Sequence, residues 1–219
     1  MPREPDHLKM KPFYGFFHYL SGLIHAMWFR GEVVGMENFP REGPYLIASN
    51  HASHLDPPLV GSFISKQMRF FARKSLWNSK LVGWWLSQIE TIPVERDSGD
   101  VGAIKRVLQA LKEDRAVVLF PEGTRSPDGR LQKPKAGVGL MACKSGVPVV
   151  PCRVYDSFEA FGKGRLLPKF GTPVTIVFGA PIPASDYDDP TAGKARYETA
   201  AQRIMDRIAA LPRPVYTVI

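Results

Sequence analysis

The sequence predicts an α/β fold in which a mostly parallel or mixed central sheet is covered by helices on both faces. Short apolar runs typical of buried strands alternate along the chain with amphipathic runs typical of helices. The chain has 219 residues, which suits a single domain with one buried core. Hydrophobic residues make up 44% of it and charged residues 23%, a balance typical of folded proteins rather than disordered ones.

Residues 12–29 predict an amphipathic helix that contains no Asp, Glu, Lys or Arg. Its apolar side chains recur at helical spacing. They are Phe13, Phe16, Phe17, Leu20, Leu23, Ile24, Met27 and Trp28. A polar stripe that includes His18 and His25 argues against a span immersed in lipid, although about 18 residues are just long enough to cross a bilayer. We expect a helix that lies in the plane of a membrane and docks the protein there; the alternative is a helix that packs only on the core.

Seven short runs of apolar or β-branched residues predict strands. They cover residues 32–34, 45–48, 68–72, 92–94, 116–120, 147–154 and 175–178. The run at 116–120 is continuously apolar, which is typical of a strand buried on both faces.

Five further stretches predict helices, at residues 57–65, 81–86, 100–112, 137–144 and 195–210. The first begins at Pro57 and Pro58, because proline is favoured in the first turn of a helix. Apolar residues at 101, 104, 107, 108 and 111 give the third helix one apolar side. Residues 161–173, rich in glycine and proline, predict a loop. We therefore expect a docking segment at residues 1–30 and one α/β domain at residues 31–219.

The chain is basic, with a formal net charge of +8. Such an excess attracts nucleic acid, anionic lipid headgroups or phosphorylated substrates. Because no nucleic-acid-binding motif accompanies the charge, we expect a membrane surface and not nucleic acid as the partner. Cys143 and Cys152 lie in apolar stretches and predict buried thiols in a reducing compartment. Residues 1–11 are polar and of mixed charge, so we expect no cleavable secretory signal.

Two polar motifs follow predicted strands, where open α/β sheets collect their sites. The first, residues 50–56, contains His51 and Asp56, which would lie roughly 140° apart on a regular helix. Pro57 pushes the preceding residue out of the helical region, so the motif predicts a loop that folds His51 back onto Asp56. A carboxylate bonded to one imidazole nitrogen fixes the tautomer and leaves the other nitrogen as a base.

Two other interpretations of this motif stay open. His51 can be a structural histidine with a satisfied hydrogen bond. Together with His54 and Asp56 it can also form a metal site of the two-histidine, one-carboxylate kind. We expect no metal, because the two prolines restrain Asp56 and no further ligand cluster is evident.

The second motif, residues 121–126, has the composition of a phosphate site. Gly123 permits close backbone approach, Thr124 and Ser126 offer hydroxyls, and Arg125 offers a planar fork for phosphate oxygens. Arg96 follows the strand predicted at 92–94 and can supply a second guanidinium. The alternative is a solvated turn with a surface arginine.

Four blocks of the sequence, in order, resemble the signature blocks of the glycerolipid acyltransferases. They are residues 43–57, 92–96, 119–126 and 147–151. The chain is most similar to the 1-acylglycerol-3-phosphate acyltransferases of the bacterial type, and the resemblance covers roughly residues 31–182.

The resemblance implies roles for individual residues. His51 would be the general base and Asp56 the carboxylate that orients it. Side chains around the second and third blocks would bind the acceptor's phosphate: Arg96, Glu122, Gly123, Thr124 and Arg125. Family members often have a lysine where Arg73 stands, so Arg73 and the adjacent Lys74 are further expected phosphate contacts.

The implied reaction is direct acyl transfer without a cofactor or a protein nucleophile. The acceptor hydroxyl of a lysophospholipid would attack an acyl thioester, either acyl-CoA or an acyl carrier protein, and yield phosphatidic acid. We expect the protein at the cytoplasmic face of the cell membrane. Three rival functions stay open: an acyltransferase for another lysophospholipid or an amine-bearing lipid, a catalytically silent membrane-binding module, and a metal-dependent phosphoesterase.

Overall fold

The computed structural model describes residues 10–64, 66–94 and 101–214. Its strands are β1 Val33–Val34, β2 Leu46–Ser49, β3 Met68–Arg69, β4 Phe71–Arg73, β5 Ile92–Val94, β6 Ala116–Leu119, β7 Val149–Tyr155 and β8 Thr175–Phe178. Its α-helices are α1 Pro12–Ile24, α2 Asp56–Gly61, α3 Lys80–Gln88, α4 Val101–Lys112, α5 Ala136–Ser145, α6 Ser157–Phe161, α7 Ala184–Tyr187 and α8 Arg196–Ala210. A π-helical turn, His25–Phe29, continues α1.

Six strands form the central sheet in the order β1-β8-β7-β2-β6-β3. Every neighbouring pair is parallel except β7 with β8. The mixed sheet that the sequence predicts is therefore confirmed. Because β2, β6 and β7 run in the same direction, their carboxyl ends meet at one edge of the sheet, as the predicted site requires. A separate parallel pair, β4 with β5, lies outside this sheet.

Helices cover both faces of the sheet, as predicted. On one face, Ile47 and Val118 pack with Tyr14 of α1, Leu59 of α2 and other apolar side chains. The opposite face is covered by three helices that contribute Val107 of α4, Ala142 of α5 and Ile204 of α8. Alternate residues of β2 and β6 thus enter different cores, which explains why these strands are apolar at every position.

The stretch predicted as one strand at 68–72 is two strands in different sheets, so that prediction is wrong. Phe70 separates them: its side chain is buried against Gly61, and its carbonyl accepts a 2.7 Å hydrogen bond from the amide of Ile92. A bend there transfers the chain from the six-stranded sheet to the pair β4–β5. The first helix after β2 is also shorter than predicted, since it begins at Asp56 and ends at Gly61.

The polar stripe of the N-terminal helix faces the protein. The Tyr14 hydroxyl accepts a hydrogen bond from the Met68 amide at 3.2 Å, and the His25 ring bonds the Val174 carbonyl at 2.6 Å. The outward side is apolar, with Phe16 62% and Tyr19 74% exposed. The helix therefore uses hydrogen-bonding side chains as part of its buried side and leaves large apolar side chains exposed, which an ordinary surface helix does not do.

The predicted docking residues divide between the two sides of this helix. Phe16, Met27 and Trp28 are exposed. Ile24 is half-buried and packs against the core, so its docking role stays a prediction. Three others are half-buried, namely Phe13, Phe17 and Leu20. Among the helices of the described residues, none is long and apolar enough to cross a membrane. The division into residues 1–30 and 31–219 stays a prediction, although Tyr14 and Phe29 share the main core.

Candidate active site

The loop that carries His51 leaves β2 at the centre of the sheet and is fixed at once to β7. Asn50 does this with both ends of its side-chain amide: Oδ1 accepts from the Val154 amide at 2.7 Å, and Nδ2 donates to the Val154 carbonyl at 2.9 Å. The side chain of Asn50 therefore continues the ladder between β2 and β7 by one step, and His51 starts from a rigid position.

His51 and Asp56 are brought together as the sequence predicts. His51 Nδ1 lies 2.9 Å from Asp56 Oδ2, and the same oxygen accepts 2.7 Å hydrogen bonds from the amides of Ala52 and Ser53. Asp56 is completely buried, whereas the His51 side chain is 15% exposed. With Nδ1–H donated to the carboxylate, the imidazole presents Nε2 as its basic nitrogen. The structure thus contains an oriented histidine base with access to solvent.

The two polar motifs hold each other in place. The His51 ring stacks on Phe120, with centroids 4.2 Å apart. The His51 amide donates to Glu122 Oε1 at 3.0 Å, and the His51 carbonyl accepts from the Ser126 amide at 2.7 Å. Sequence reasoning missed Phe120 as a support for the imidazole, because an aromatic residue at a strand end is equally typical of core packing.

Glu122 lies beneath the His51 loop, where it is only 2% exposed. Burial raises the pKa of Glu122 to about 7, while the hydrogen bonds from the backbone amides of His51 and Gln132 act in the opposite direction. Its contact with the His51 amide makes Glu122 a positioning residue in this structure. Its role in a phosphate pocket stays a prediction.

Gly123, Thr124 and Arg125 form a turn beside the histidine. Gly123 has φ +68°, a conformation that favours glycine, and Thr124 is exposed. Arg125 is half-buried. The pKa of His54 is lowered, first by burial and then by the positive charge of Arg125. The positive charge of Arg125 therefore acts on the loop that carries His51, which fits the phosphate hypothesis.

Ser126 was expected to offer its hydroxyl to phosphate, and this expectation is wrong. The side chain is buried, and its Oγ donates to the Arg130 carbonyl at 2.7 Å and lies 3.0 Å from Asp128 Oδ1. It closes the turn that follows Arg125.

The roles of the remaining predicted phosphate ligands, Arg73, Lys74 and Arg96, stay predictions. Arg73 ends β4 in the small sheet and Lys74 begins the 3-10 helix that follows, and both side chains are exposed. Arg96 lies outside the described residues, and its role stays a prediction.

The described part of the chain contains no group of three or more His, Cys, Asp or Glu residues arranged to hold a metal ion. The ring of His54 lies against Phe161, with centroids 5.5 Å apart. The geometry of the first motif is that of a hydrogen-bonded acid–histidine pair.

A histidine oriented by a buried carboxylate, on a loop held by the arginine turn at the carboxyl edge of a mixed sheet, is the arrangement that general-base catalysis requires. The family model described as acyltransferase matches residues 30–155, more than half of the chain. The chain belongs to this acyltransferase family, and the resemblance noted in its sequence blocks is confirmed.

Several relatives share the name 1-acyl-sn-glycerol-3-phosphate acyltransferase. A 1-acyl-sn-glycerol-3-phosphate acyltransferase of Bacillus subtilis is 29% identical over 182 residues, which cover 82% of this chain and 87% of that protein. The chloroplast enzymes of Brassica napus and Arabidopsis thaliana are 31% and 32% identical over 160 residues and 70% of this chain. The alignments span only 44% and 43% of these two plant proteins, so the chain matches less than half of their length.

A solved structure supports the fold. The crystal structure of the 1-acyl-sn-glycerophosphate (LPA) acyltransferase PlsC from Thermotoga maritima superposes with a TM-score of 0.63 at 25% sequence identity. The match covers 92% of this chain and 83% of that one.

Proposed function

We propose that this protein transfers a fatty acyl group from an acyl thioester to the free hydroxyl of 1-acylglycerol 3-phosphate and so forms phosphatidic acid. The observation that carries the proposal is the 2.9 Å pair of His51 Nδ1 and Asp56 Oδ2, which leaves Nε2 as the basic nitrogen of the imidazole. The names of the relatives that align over most of this chain support the choice of acceptor. Both acyl-CoA and an acyl carrier protein fit as donors.

The chemistry follows from the orientation of the imidazole. His51 Nε2 removes the proton of the acceptor hydroxyl, and the oxygen attacks the carbonyl carbon of the thioester. The new ester C–O bond forms and the C–S bond breaks. The imidazolium, stabilised by Asp56, returns its proton to the departing thiolate.

No protein nucleophile enters this sequence of steps. Both cysteines are free thiols. Burial raises the pKa of Cys143 to about 12 and also raises the pKa of Cys152, so neither is a thiolate at neutral pH. Free thiols also fit the reducing cytoplasmic face of the cell membrane, where we propose that the enzyme works.

The acceptor is an amphiphile that resides in a bilayer, so the enzyme must work at a membrane surface. The exposed apolar side of α1 suits this requirement, since Phe16, Leu23 and Met27 point away from the protein. We propose that α1 docks in the plane of the membrane. An acyltransferase for another lysophospholipid is the second candidate, because the Arg125 turn suits a phosphate whatever group the phosphate carries.

The proposal is tested with purified wild type and His51→Ala, assayed with acyl-CoA and acyl carrier protein donors against a panel of lysophospholipids. Loss of a general base lowers turnover by about 10²–10⁴-fold, while the melting temperature stays near that of the wild type. His54→Ala is the matched control, because His54 is exposed and lies outside the acid–histidine pair, and it should keep most of the activity. Turnover of His51→Ala within tenfold of the wild type would contradict the assignment.

The wild type alone distinguishes the rival functions. Preference for another lysolipid would favour the second candidate, and no thioester turnover at all would favour a silent membrane-binding module.

A further inference from the structure

The loop formed by residues 162–173, between α6 and β8, carries an apolar tip in a basic setting. Leu166 is 94% exposed, Leu167 78% and Phe170 56%. Exposed basic side chains surround the tip, namely Lys163, Arg165 and Lys169. The loop contains no Asp or Glu. A single exposed leucine is ordinary, but a group of exposed apolar residues with a cationic rim marks an interaction site.

The base of the loop is held firmly, although its tip is not. The Lys169 amide donates to the Ala160 carbonyl at 2.7 Å, and the Gly171 amide donates to the Trp28 carbonyl at 2.8 Å. Gly162 pairs with Ser53, whose hydroxyl donates to the Phe161 carbonyl at 2.8 Å. The loop is thus tied to α6, to the turn after α1 and to the loop that contains His51.

The apolar tip is continuous with the exposed side of the N-terminal helix. The Phe170 ring lies 4.8 Å from the Trp28 ring, at the end of the turn that follows α1. At the start of the helix, Phe13 lies 5.4 Å from Trp84 of α3, which is itself 53% exposed. Because α1 and its turn together rise by roughly 25 Å, the exposed apolar residues form one elongated surface from α3 through α1 to the loop.

We propose that residues 162–173 are a second membrane contact, in which the Leu166–Leu167 tip enters the acyl boundary of an anionic bilayer while Lys163, Arg165 and Lys169 bind lipid phosphates. Two apolar side chains at a loop tip bury in lipid without disturbing the fold, since they contribute nothing to the core. The basic side chains lie at the depth of the headgroups when the tip is inserted. This inference deepens the proposed docking through α1, and it does not depend on which lysolipid is the acceptor.

The second membrane contact also affects the orientation of the loop that carries His51. Gly162 pairs with Ser53, two residues after His51, so the membrane contact is coupled to the histidine through one short backbone connection. With α1 and residues 162–173 both in contact with the bilayer, rotation about the axis of α1 is blocked. The second contact therefore fixes which edge of the sheet faces the lipid.

The first test uses the full chain and vesicles of phosphatidylcholine mixed with phosphatidylglycerol. Leu166→Ser/Leu167→Ser should weaken co-sedimentation by roughly 10- to 100-fold. The substitutions remove most of the favourable free energy of transferring two exposed leucine side chains from water into lipid. Its melting temperature should equal that of the wild type. Val34→Ser/Met36→Ser is the matched control, since both residues are exposed apolar side chains outside the proposed surface, and its binding should not change.

The second test distinguishes the contribution of the basic side chains to vesicle binding from that of the inserted leucines. Lys163→Gln/Arg165→Gln/Lys169→Gln should weaken binding to the anionic vesicles strongly and binding to pure phosphatidylcholine little. Lys112→Gln/Lys144→Gln/Lys194→Gln removes the same charge from exposed lysines on the opposite layer of helices, and it should bind nearly as the wild type does. Equal losses in the two triple variants would overturn a specific contact by the loop.

Two further outcomes would also overturn the proposal. One is vesicle binding by Leu166→Ser/Leu167→Ser within twofold of the wild type. The other is unchanged vesicle binding with a raised KM for an acyl carrier protein, which would make the loop a seat for an acidic donor protein. Turnover on lysolipid in detergent micelles should be the same in the loop variants and the wild type. If the wild type itself has no turnover, the proposed function fails. The vesicle measurements still show whether residues 162–173 bind the membrane.

Discussion

The geometry of the acid–histidine pair depends on hydrogen bonds from several neighbouring residues. Asp56 Oδ2 receives three hydrogen bonds, from the His51 ring and from the amides of Ala52 and Ser53, so the carboxylate has a single orientation. Glu122 and Ser126 hold the backbone of His51 from both sides. On the proposed function, these hydrogen bonds orient Nε2 before an acceptor binds, and such preorganisation is a large part of the advantage of general-base catalysis.

Glu122 should give the protein a pH-dependent stability. Burial raises its pKa to about 7 from an ordinary value of 4.5, so between these values the folded chain holds a proton that the unfolded chain releases. The free energy of unfolding therefore falls as pH rises through this range. Glu122→Gln keeps an oxygen acceptor for the His51 amide and cannot ionise. Its melting temperature should rise relative to the wild type between about pH 5 and pH 8.

Thermal melting across this pH range checks the prediction. Glu198→Gln, on an exposed position of α8, is the control and should follow the wild-type curve. Parallel curves for Glu122→Gln and the wild type would mean that the Glu122 carboxyl ionises as easily in the folded chain as in the unfolded one.

At the scale of secondary structure elements, α5 and α8 approach each other through a glycine. A Cβ on Gly139 would lie 1.9 Å from the Tyr197 carbonyl oxygen, so no larger residue fits without a shift of backbone. Gly139→Ala should lower the free energy of unfolding by roughly 1–3 kcal/mol through overpacking.

Gly137 provides the matched comparison in the same helix. Nothing lies within 4 Å of a Cβ at this position. Gly137→Ala should raise the free energy of unfolding by up to about 1 kcal/mol, because alanine is the better helix former. Denaturant titration of both variants measures the two changes, and destabilisation of the same size in both would show that the close contact between the helices is not the cause.

The elements that were predicted well are those whose pattern is local. Strand β8 matches the prediction at both ends, because an apolar run stands there between proline and glycine. The fold of His51 onto Asp56 followed from the proline after Asp56. Asp56 nevertheless begins the helix instead of standing before it, since three hydrogen bonds hold its side chain at the helix start.

The features that were missed depend on contacts between distant segments. The separation of β3 from β4 is set by the packing of Phe70 on Gly61 and by its bond to Ile92, neither of which leaves a local pattern. Helix α6 has five residues, too few for a periodicity to be read. The inward position of the Ser126 side chain depends on the path of the backbone over residues 126–130. The residue types of the motif alone do not predict that path.

At the scale of the whole molecule, charge and apolar surface contribute separately to the proposed membrane binding. The chain has a net charge of +8, and the exposed aromatic and aliphatic side of α1 adds a term that salt does not screen. Raising ionic strength from about 0.1 M to about 1 M shortens the Debye length from about 10 Å to about 3 Å. High salt should therefore release the protein only partly from anionic vesicles.

Co-sedimentation of the wild type with Phe16→Ser/Leu23→Ser/Met27→Ser across a salt series checks this expectation. The variant should bind weakly at low salt, through charge alone, and dissociate fully at high salt. Complete release of the wild type by salt would show that the apolar side of α1 stays out of the lipid.

On the proposed function, the exposed apolar side of α1 determines how the protein searches for its acceptor. Because Tyr14 and His25 attach the helix to the body of the protein by hydrogen bonds, the apolar side is displayed without any need for the helix to unfold or detach. On the proposed function, an enzyme that arrives at the membrane is already competent and then diffuses in the same plane as the lysolipid. The rate at which the bound enzyme meets its acceptor depends on the surface density of lysolipid in the bilayer. It does not depend on the bulk concentration of lysolipid in water. Dilution of vesicles at constant composition should then leave the rate per bound enzyme unchanged, as expected for a two-dimensional search.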